Sequence, residues 1–463
     1  MSSTNLPDSI CSESYAKTMK PRQLIMMGLG SAIGAGLFMG SGEGIHMAGP
    51  AVLISYIIAG MLVIIVMNAM GEMAVANPSG GAFSVYATDA FGPTVGVTIG
   101  WLWWLQMVIV VAAEAIGAAQ LLTLVFPSVS SPCAALVCMG LFSVINLQGV
   151  RHFGEFEFYF AIIKVVAIFA FILVGLALLF GFTSKPSPGF FHFVAHGGFA
   201  PKGIGGICSA LLVVIFAFGG MEIVAVAAAE TRDSGTHLGQ TIRLVAWRIL
   251  IFYIASISVI VAIIPWNNSS ALKSPFAAVL AAANMPNAGI AMTIIAILAL
   301  LSALNVNLYG ASRMLFSLAE RQEAPALFKR LNAQHIPTYA VLTSSAAGLV
   351  AALFEFLFPE KVLSVLLNCV GSTNLLIWIV SLMSQWVLRS RAKRLGKVLS
   401  FRMWGFPWLT LFALVTFVSI SVLLVLSAET RLKFLSMFAL TLIIAIITGG
   451  VRSLRLKQMQ SKM

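Results

Sequence analysis

Three ionisable residues, Lys164, Glu114 and Glu222, each lie within a long run of apolar residues. A charge at the centre of a bilayer costs about 2.5–3.5 kcal/mol on insertion scales, so ionisable groups at membrane depth are usually functional. A lysine that gains and loses a proton, with carboxylates nearby, is suited to moving protons. Structural interpretations stay open for each residue. In these interpretations the Lys164 side chain extends to the membrane interface. Glu114 would make only a buried hydrogen bond, and Glu222 would hold an interrupted helix.

Two of the apolar runs contain glycines at positions that a continuous helix disfavours. The first run contains Gly28, Gly30, Gly34, Gly36 and Gly40, and the second contains the pair Gly219-Gly220. Glycine in a helix interior costs about 1 kcal/mol relative to alanine. These glycines therefore either permit close helix packing as GxxxG pairs or mark places where a membrane helix unwinds.

An unwound segment inside a membrane helix would offer backbone groups to a ligand. The N-terminus of the resumed helix presents N–H groups and a positive dipole to a carboxylate, while freed carbonyl groups suit an ammonium group. A site with both ends fits an amino acid. We expect the substrate to contact the following residues of the two runs: Ser31, Ala32, Ile33, Gly34, Ala35, Gly36, Phe216, Ala217, Phe218 and Gly219.

The composition indicates a membrane protein built from helices. Of the 463 residues, 59% are apolar and only 10% are charged, and the mean hydropathy is +0.98. Soluble domains carry about a quarter charged residues, so a soluble protein is excluded. Five scattered cysteines without a CxxC pair argue against a disulfide framework or a zinc site. We predict no cofactor and no bound metal, because His192 and His196 lack a third ligand.

Twelve apolar stretches are long enough to be membrane spans, which need about 20 residues. They are residues 24–43, 50–70, 95–123, 132–147, 158–181, 204–229, 245–264, 287–311, 338–357, 362–388, 408–427 and 433–451. The two glycine-rich runs are the first and sixth of these spans. They hold corresponding positions in two sets of five, and interrupted helices at matched positions in inverted repeats indicate a transporter's midplane binding site.

The distribution of lysine and arginine predicts the orientation. Most lie in the two tails and in the loops that follow spans four, six, eight and ten, which puts both termini in the cytoplasm by the positive-inside rule. This distribution accounts for the net charge of +12 without nucleic acid as a partner. The basic loop 389–397 is expected to touch anionic membrane lipid.

The segment Gly30-Ser-Ala-Ile-Gly-Ala-Gly-Leu-Phe38 resembles the first-helix motif of the bacterial amino-acid permeases, a branch of the amino-acid–polyamine–organocation (APC) superfamily. The resemblance extends along nearly the whole chain, and γ-aminobutyrate and aromatic amino-acid permeases resemble it about equally. Further matching motifs are Ala48-Gly49-Pro50-Ala51, Gly71-Glu72-Met73-Ala74, Phe153-Gly154-Glu155-Phe156-Glu157, Phe216 to Glu222, Ala227-Ala228-Ala229-Glu230, Trp247-Arg248, Ser312-Arg313-Met314 and Met403-Trp404.

The resemblance implies an all-α membrane protein with an inverted 5+5 helix repeat, as in LeuT-like transporters, plus two C-terminal helices. The implied division is a cytoplasmic tail (1–22), a first repeat (23–200), a second repeat (201–402), two added helices (403–451) and a second tail (452–463). It also implies that Lys164 replaces the sodium ion of sodium-coupled relatives and that Phe216 closes over the substrate. One departure is Ala35, where many relatives have threonine.

Together these features predict a secondary active permease of the cytoplasmic (inner) membrane, not an enzyme. It would import a neutral amino acid or γ-aminobutyrate with protons by alternating access. Proton coupling is assigned to Lys164, Glu114 and Glu222, and the gate to Phe216 and Glu230. An exchanger of two amino compounds and a non-transporting amino-acid sensor are the alternatives. The sequence contains no P-loop, GxSxG or HExxH motif, so ATP-driven pumping and hydrolysis lack their usual residues.

Overall fold

The computed structural model describes residues 21–148, 150–183, 186–228, 236–358 and 361–460. These residues fold into α-helices joined by short loops and single 3-10 turns. The helices are α1 (Pro21–Ala32), α2 (Ala35–Phe38), α3 (Gly40–Ala48), α4 (Val52–Ala76), α5 (Ala82–Phe91), α6 (Pro93–Val125), α7 (Ser131–Asn146), α8 (Val150–Leu179), α9 (Gly203–Phe218), α10 (Ile223–Ala227), α11 (Thr236–Ile263), α12 (Pro275–Ala282), α13 (Pro286–Glu320), α14 (Thr338–Leu357), α15 (Val362–Arg394), α16 (Trp408–Leu426) and α17 (Ala428–Gln460).

Among the described residues, ten helical segments are long and apolar enough to cross a membrane. Each overlaps one of the predicted spans. The two remaining predicted spans are also helical but do not qualify by themselves. Span 24–43 is interrupted between α1 and α3, and span 132–147 corresponds to α7, which has only 16 residues. A total of twelve spans therefore stays a prediction.

The most buried helical segment lies at the centre of the bundle and the least buried at its edge. In the most apolar part of segment Gly203–Ala227, which contains α9 and α10, 94% of the residues are buried. The corresponding value for Thr430–Ser453 in α17 is 11%. The helix interruption at the end of α9 is consequently surrounded by protein, as interrupted backbone at membrane depth requires.

The interrupted first helix packs directly against α9. A Cβ atom at Gly36 in α2 would overlap the Cα atom of Ala217 in α9, so the missing side chain lets the two backbones approach each other. Helix α1 packs against α8 and α13. The first interruption thus faces helices from both halves of the chain.

Candidate functional site at the two helix breaks

The first helix is broken at Ile33 and Gly34, which separate α1 from α2. Both residues are buried. A helix end leaves carbonyl groups without an intrahelical partner on one side and N–H groups on the other. At this break, ionisable side chains from two other helices meet both kinds of group, as described next.

The carboxylate of Glu114 occupies the N-terminal end of α2. The backbone N–H of Ala35 donates a hydrogen bond of 2.8 Å to Glu114 Oε2, and Glu114 is buried in α6 with 2% exposure. A Cβ atom at Gly34 would overlap this carboxylate. Glycine at position 34 is therefore required for Glu114 to reach the backbone, and a carboxylate is favourable at the positive end of a helix.

The ammonium group of Lys164 occupies the C-terminal end of α1. Lys164 Nζ donates a hydrogen bond of 2.7 Å to the carbonyl oxygen of Gly30, and the residue is buried in α8. Cations are favourable at the negative end of a helix. The carboxylate of Glu157, also in α8, lies 4.0 Å from Nζ and accepts a hydrogen bond of 2.5 Å from Ser302 Oγ.

The second break covers residues 219–222, between α9 and α10. Gly220 has a φ of +93°, a conformation that favours glycine. Glu222 holds this loop with both carboxylate oxygens, because Oε2 accepts from the Gly220 N–H at 2.7 Å and Oε1 accepts from Trp378 Nε1 at 2.6 Å. The main support of this break is therefore a residue of the break itself.

Two side chains join the breaks to each other. Ser31 Oγ donates to the carbonyl oxygen of Gly220 at 2.8 Å. The hydroxyl of Tyr253 in α11 lies 2.6 Å from the carbonyl oxygen of Ala32 and 2.9 Å from that of Ala217, one from each broken helix. The freed carbonyl groups of both breaks thus point into one shared region.

A cavity of about 590 Å³ opens at one end of the bundle. It reaches Met39, the residue between α2 and α3, and it is also lined by Glu43, Lys273 and Glu355. At the opposite end, the C-terminal parts of α4 and α15 line a cavity of about 480 Å³. The predicted contact residues are buried except for Gly219, which is half-buried.

Polar contacts hold the bundle together at this opposite end, which we call the basic end (residues 72–92 and 385–407). Glu72 Oε2 in α4 accepts from Arg389 Nη1 at 2.8 Å and from the Met403 N–H at 2.6 Å. Arg391 Nη2 donates to the carbonyl oxygen of Ala90 at 2.8 Å. These contacts connect α4, α5, α15 and the loop before α16.

Comparison with known proteins identifies the family. The sequence model of the amino acid permease family matches residues 23–458. The chain belongs to the amino acid permease family. The chain is therefore a multi-pass membrane protein of amino-acid transport, and its named relatives are transport proteins.

Three named relatives align with most of this chain. The aromatic amino acid transport protein AroP of Corynebacterium glutamicum is 43% identical over 424 residues, which are 90% of this chain and 91% of that protein. The γ-aminobutyric acid permease of Bacillus subtilis is 41% identical, covering 88% of this chain and 87% of its own length. The corresponding permease of Escherichia coli is 40% identical, covering 88% of each chain.

The structure brings most of the predicted site residues together. The segments 30–36 and 216–220 lie against each other, and Lys164, Glu114 and Glu222 contact the backbone of Gly30, Ala35 and Gly220 respectively. The hydroxyl of Ser31, a predicted substrate contact, donates to the carbonyl oxygen of Gly220 at 2.8 Å and lies 3.2 Å from that of Gly28. Phe216 is buried at the end of α9. Glu230, the second predicted gate residue, lies outside the described residues.

Sequence reasoning missed four polar residues of this region. Glu157 and Tyr253 contact the first break or its lysine, as given above. Gln106 Nε2 donates to Asn374 Oδ1 at 2.5 Å, and a Cβ atom at Gly219 would lie 2.6 Å from Asn374 Nδ2. The signal available in the sequence was a polar residue in or next to an apolar stretch, because a polar group buried there needs a partner.

Proposed function

We propose that this permease is a secondary active symporter that imports a neutral amino acid or γ-aminobutyrate together with a proton. One observation carries the proposal. Two ionisable side chains, Glu114 and Lys164, lie on the two ends of the broken first helix. A change in the protonation of either group changes how well the break is satisfied, and this links proton binding to the conformation of the helix.

The substrate is oriented by the backbone of the two breaks. Its carboxylate binds the first break at Ala35 and therefore replaces the Glu114 carboxylate at that N–H. Its ammonium group binds carbonyl oxygens near Ile33 and residues 216–219. The names of the relatives support an uncharged side chain, because one relative is an aromatic amino acid transporter and two are γ-aminobutyrate permeases.

Lys164 carries the coupling proton in this proposal. Protonated Lys164 joins α8 to α1 through the Gly30 carbonyl, and loss of the proton weakens that bond and lets the bundle reopen. Glu222 holds the second break, since both of its oxygens already accept from Gly220 and Trp378. Phe216 closes over the substrate, and Glu230 contributes to the gate.

The arrangement in the membrane follows from the same proposal. The chain forms an inverted 5+5 repeat (23–200 and 201–402) with two further spans, and works by alternating access in the cytoplasmic membrane. The basic end faces the cytoplasm, so the cavity that reaches Met39 is the outer entrance. Release inside then requires separation of Glu72 from Arg389.

Uptake into proteoliposomes tests the function. Labelled γ-aminobutyrate, phenylalanine and tyrosine are offered to liposomes with an acidic exterior, with and without internal amino acid, and unlabelled competitors identify the preferred substrate. The proposal requires accumulation that depends on the pH gradient and needs no internal substrate. Uptake only against internal amino acid identifies an exchanger, and binding without uptake identifies a sensor. Competition by lysine or arginine alone would contradict a neutral substrate.

A further inference from the structure

Glu157 is a buried carboxylate that the mechanism above does not use. It lies in α8 seven residues before Lys164. Seven residues are about two helical turns, so both side chains lie on one face of the helix. Its exposure is 1%. Oε1 accepts the hydrogen bond from Ser302 in α13, while Oε2 has no hydrogen-bond partner among the described residues.

The carboxylate lies where the lysine can reach it. Lys164 Nζ is 4.0 Å from Glu157 Oε1 and 2.7 Å from the Gly30 carbonyl oxygen. An ammonium group has three N–H donors, and Gly30 accepts one of them. A Cβ atom at Gly30 would overlap Glu157 Oε1. Glycine at position 30 thus provides both the lysine's acceptor and the space for the carboxylate.

Few other charged groups act on this pair. Glu114 in α6 interacts electrostatically with Lys164, but its Oε2 accepts from Ala35. Arg22 in α1 lies over the ring of Phe158, 5.1 Å from its centroid. The Tyr253 hydroxyl of α11 is directed at backbone carbonyls. Helix α13, which also packs against α8, contributes the Ser302 hydroxyl to the pair.

We propose that Glu157 accepts the proton that Lys164 releases. In this step an N–H bond of the Lys164 ammonium breaks and an O–H bond forms at Glu157, so an ion pair becomes a neutral amine and a neutral carboxylic acid. The transfer needs only a small movement of the flexible lysine side chain. The transfer removes two buried charges at once. When Lys164 then leaves the Gly30 carbonyl, no buried ammonium group is left without a partner, and this lowers the free-energy cost of the movement.

The place of Glu157 along α8 gives the transfer a direction. Seven residues of helix span about 10.5 Å, and Glu157 is nearer than Lys164 to the N-terminus of α8. In the proposed orientation that terminus faces the cytoplasm. The inference rests on the proposed proton symport, and it makes Glu157 the inward step of the proton's path.

Acidification of the liposome interior tests the inference. Proteoliposomes with a trapped pH-sensitive dye receive external substrate, chosen from the uptake assay, and the proton influx per labelled substrate is recorded. We expect Glu157→Gln to lower this influx by roughly tenfold or more while exchange of internal for external substrate continues. Glu157→Asp retains a carboxylate and should restore coupled influx at a reduced rate.

Glu323→Gln is the control for the loss of a carboxylate. Glu323 lies in the loop after α13 with Oε1 3.8 Å from Arg452 Nη1, and it is not one of the residues that line the two cavities. Proton influx by this variant should equal that of the wild type. Unchanged influx in Glu157→Gln would overturn the inference and leave the symport standing. If Glu157→Gln does not fold, a folded Glu157→Asp without coupled influx overturns it. A wild type that takes up substrate without proton influx would overturn both.

Discussion

The break after α1 and the break after α9 lie against each other, yet their freed backbone groups are satisfied from different places. At the first break the partners are Glu114 and Lys164, which come from α6 and α8. At the second break the ionisable partner is Glu222, which belongs to the break and is fixed by Trp378, while the hydroxyls of Ser31 and Tyr253 contact its carbonyl groups. The first break therefore depends on contacts that helix movement or proton transfer can undo, whereas the second carries its own support.

Lys164→Met should have the largest effect and should affect the first break alone. The variant leaves the second break intact but removes the only charged group on the Gly30 carbonyl that the structure describes. Accumulation driven by a pH gradient should be lost, and exchange should survive. Lys164→Arg should also fail, because arginine does not deprotonate at workable pH. Normal proton-driven accumulation by Lys164→Met in proteoliposomes would remove this residue from the mechanism.

Gly34→Val should have the second-largest effect, which is weaker substrate binding. The added side chain would meet the space that the Glu114 carboxylate occupies, and the substrate carboxylate is proposed to bind there. Overpacking costs about 1–3 kcal/mol, so Kd should rise roughly tenfold to hundredfold. Gly140→Val in α7 has nothing within 4 Å and is the control in a radioligand binding assay.

Gly36→Val tests a packing role beside that binding role. Its side chain would overlap the backbone of Ala217 in α9, which cannot move without shifting the helix. The variant should lose thermal stability as well as binding. Retained affinity in a folded Gly34→Val protein would show that the glycines serve packing only.

Glu114→Gln and Glu222→Gln should differ in their response to pH. Protonation of Glu114 weakens its bond to Ala35, so wild-type affinity should rise as the pH falls, and Glu114→Gln should bind tightly and lose the part of the pH dependence that Glu114 contributes. Glu222→Gln removes one acceptor of a fixed pair, at a cost of about 1–3 kcal/mol. It should lower Tm and keep the wild-type pH profile. Equal pH profiles for both variants would contradict the comparison.

Tyr253→Phe should have the smallest effect, and on both breaks together. The variant removes the hydroxyl shared by the Ala32 and Ala217 carbonyls and leaves the ring in place. One hydrogen bond contributes about 0.5–1.5 kcal/mol, so binding should weaken by roughly tenfold or less. Isothermal titration at two pH values would measure it, and a changed pH dependence would assign Tyr253 to the proton path instead.

The sequence predicted the breaks better than their partners. The glycines at 34 and 219–220 and the buried Lys164 could be recognised within short stretches of chain, because glycine and charge are both unfavourable in a membrane helix. The unpredicted partners come from distant positions: Ala35 pairs with Glu114, and Ala32 with Tyr253. Periodicity within one helix does not reveal such neighbours.

The first predicted span is missing from the ten long helical segments for a physical reason. An interrupted helix is shorter than an intact one, so the stretch 24–43 is divided between α1, α2 and α3. Glu157 was recognised only as part of a motif, because a carboxylate near the start of a helix is typical of a helix end. Its burial beside Lys164 follows from the packing of α8 against α13.

The charge moved per substrate tests the central claim most directly, that the first break couples a proton to an uncharged amino compound. Proteoliposomes on a solid-supported membrane receive a pulse of substrate, and the current is compared with uptake of the labelled compound under the same conditions. Symport of one proton with a zwitterion predicts an inward positive current in the wild type and in Glu222→Gln, and none in Lys164→Met. Substrate uptake by the wild type without any current would contradict the account.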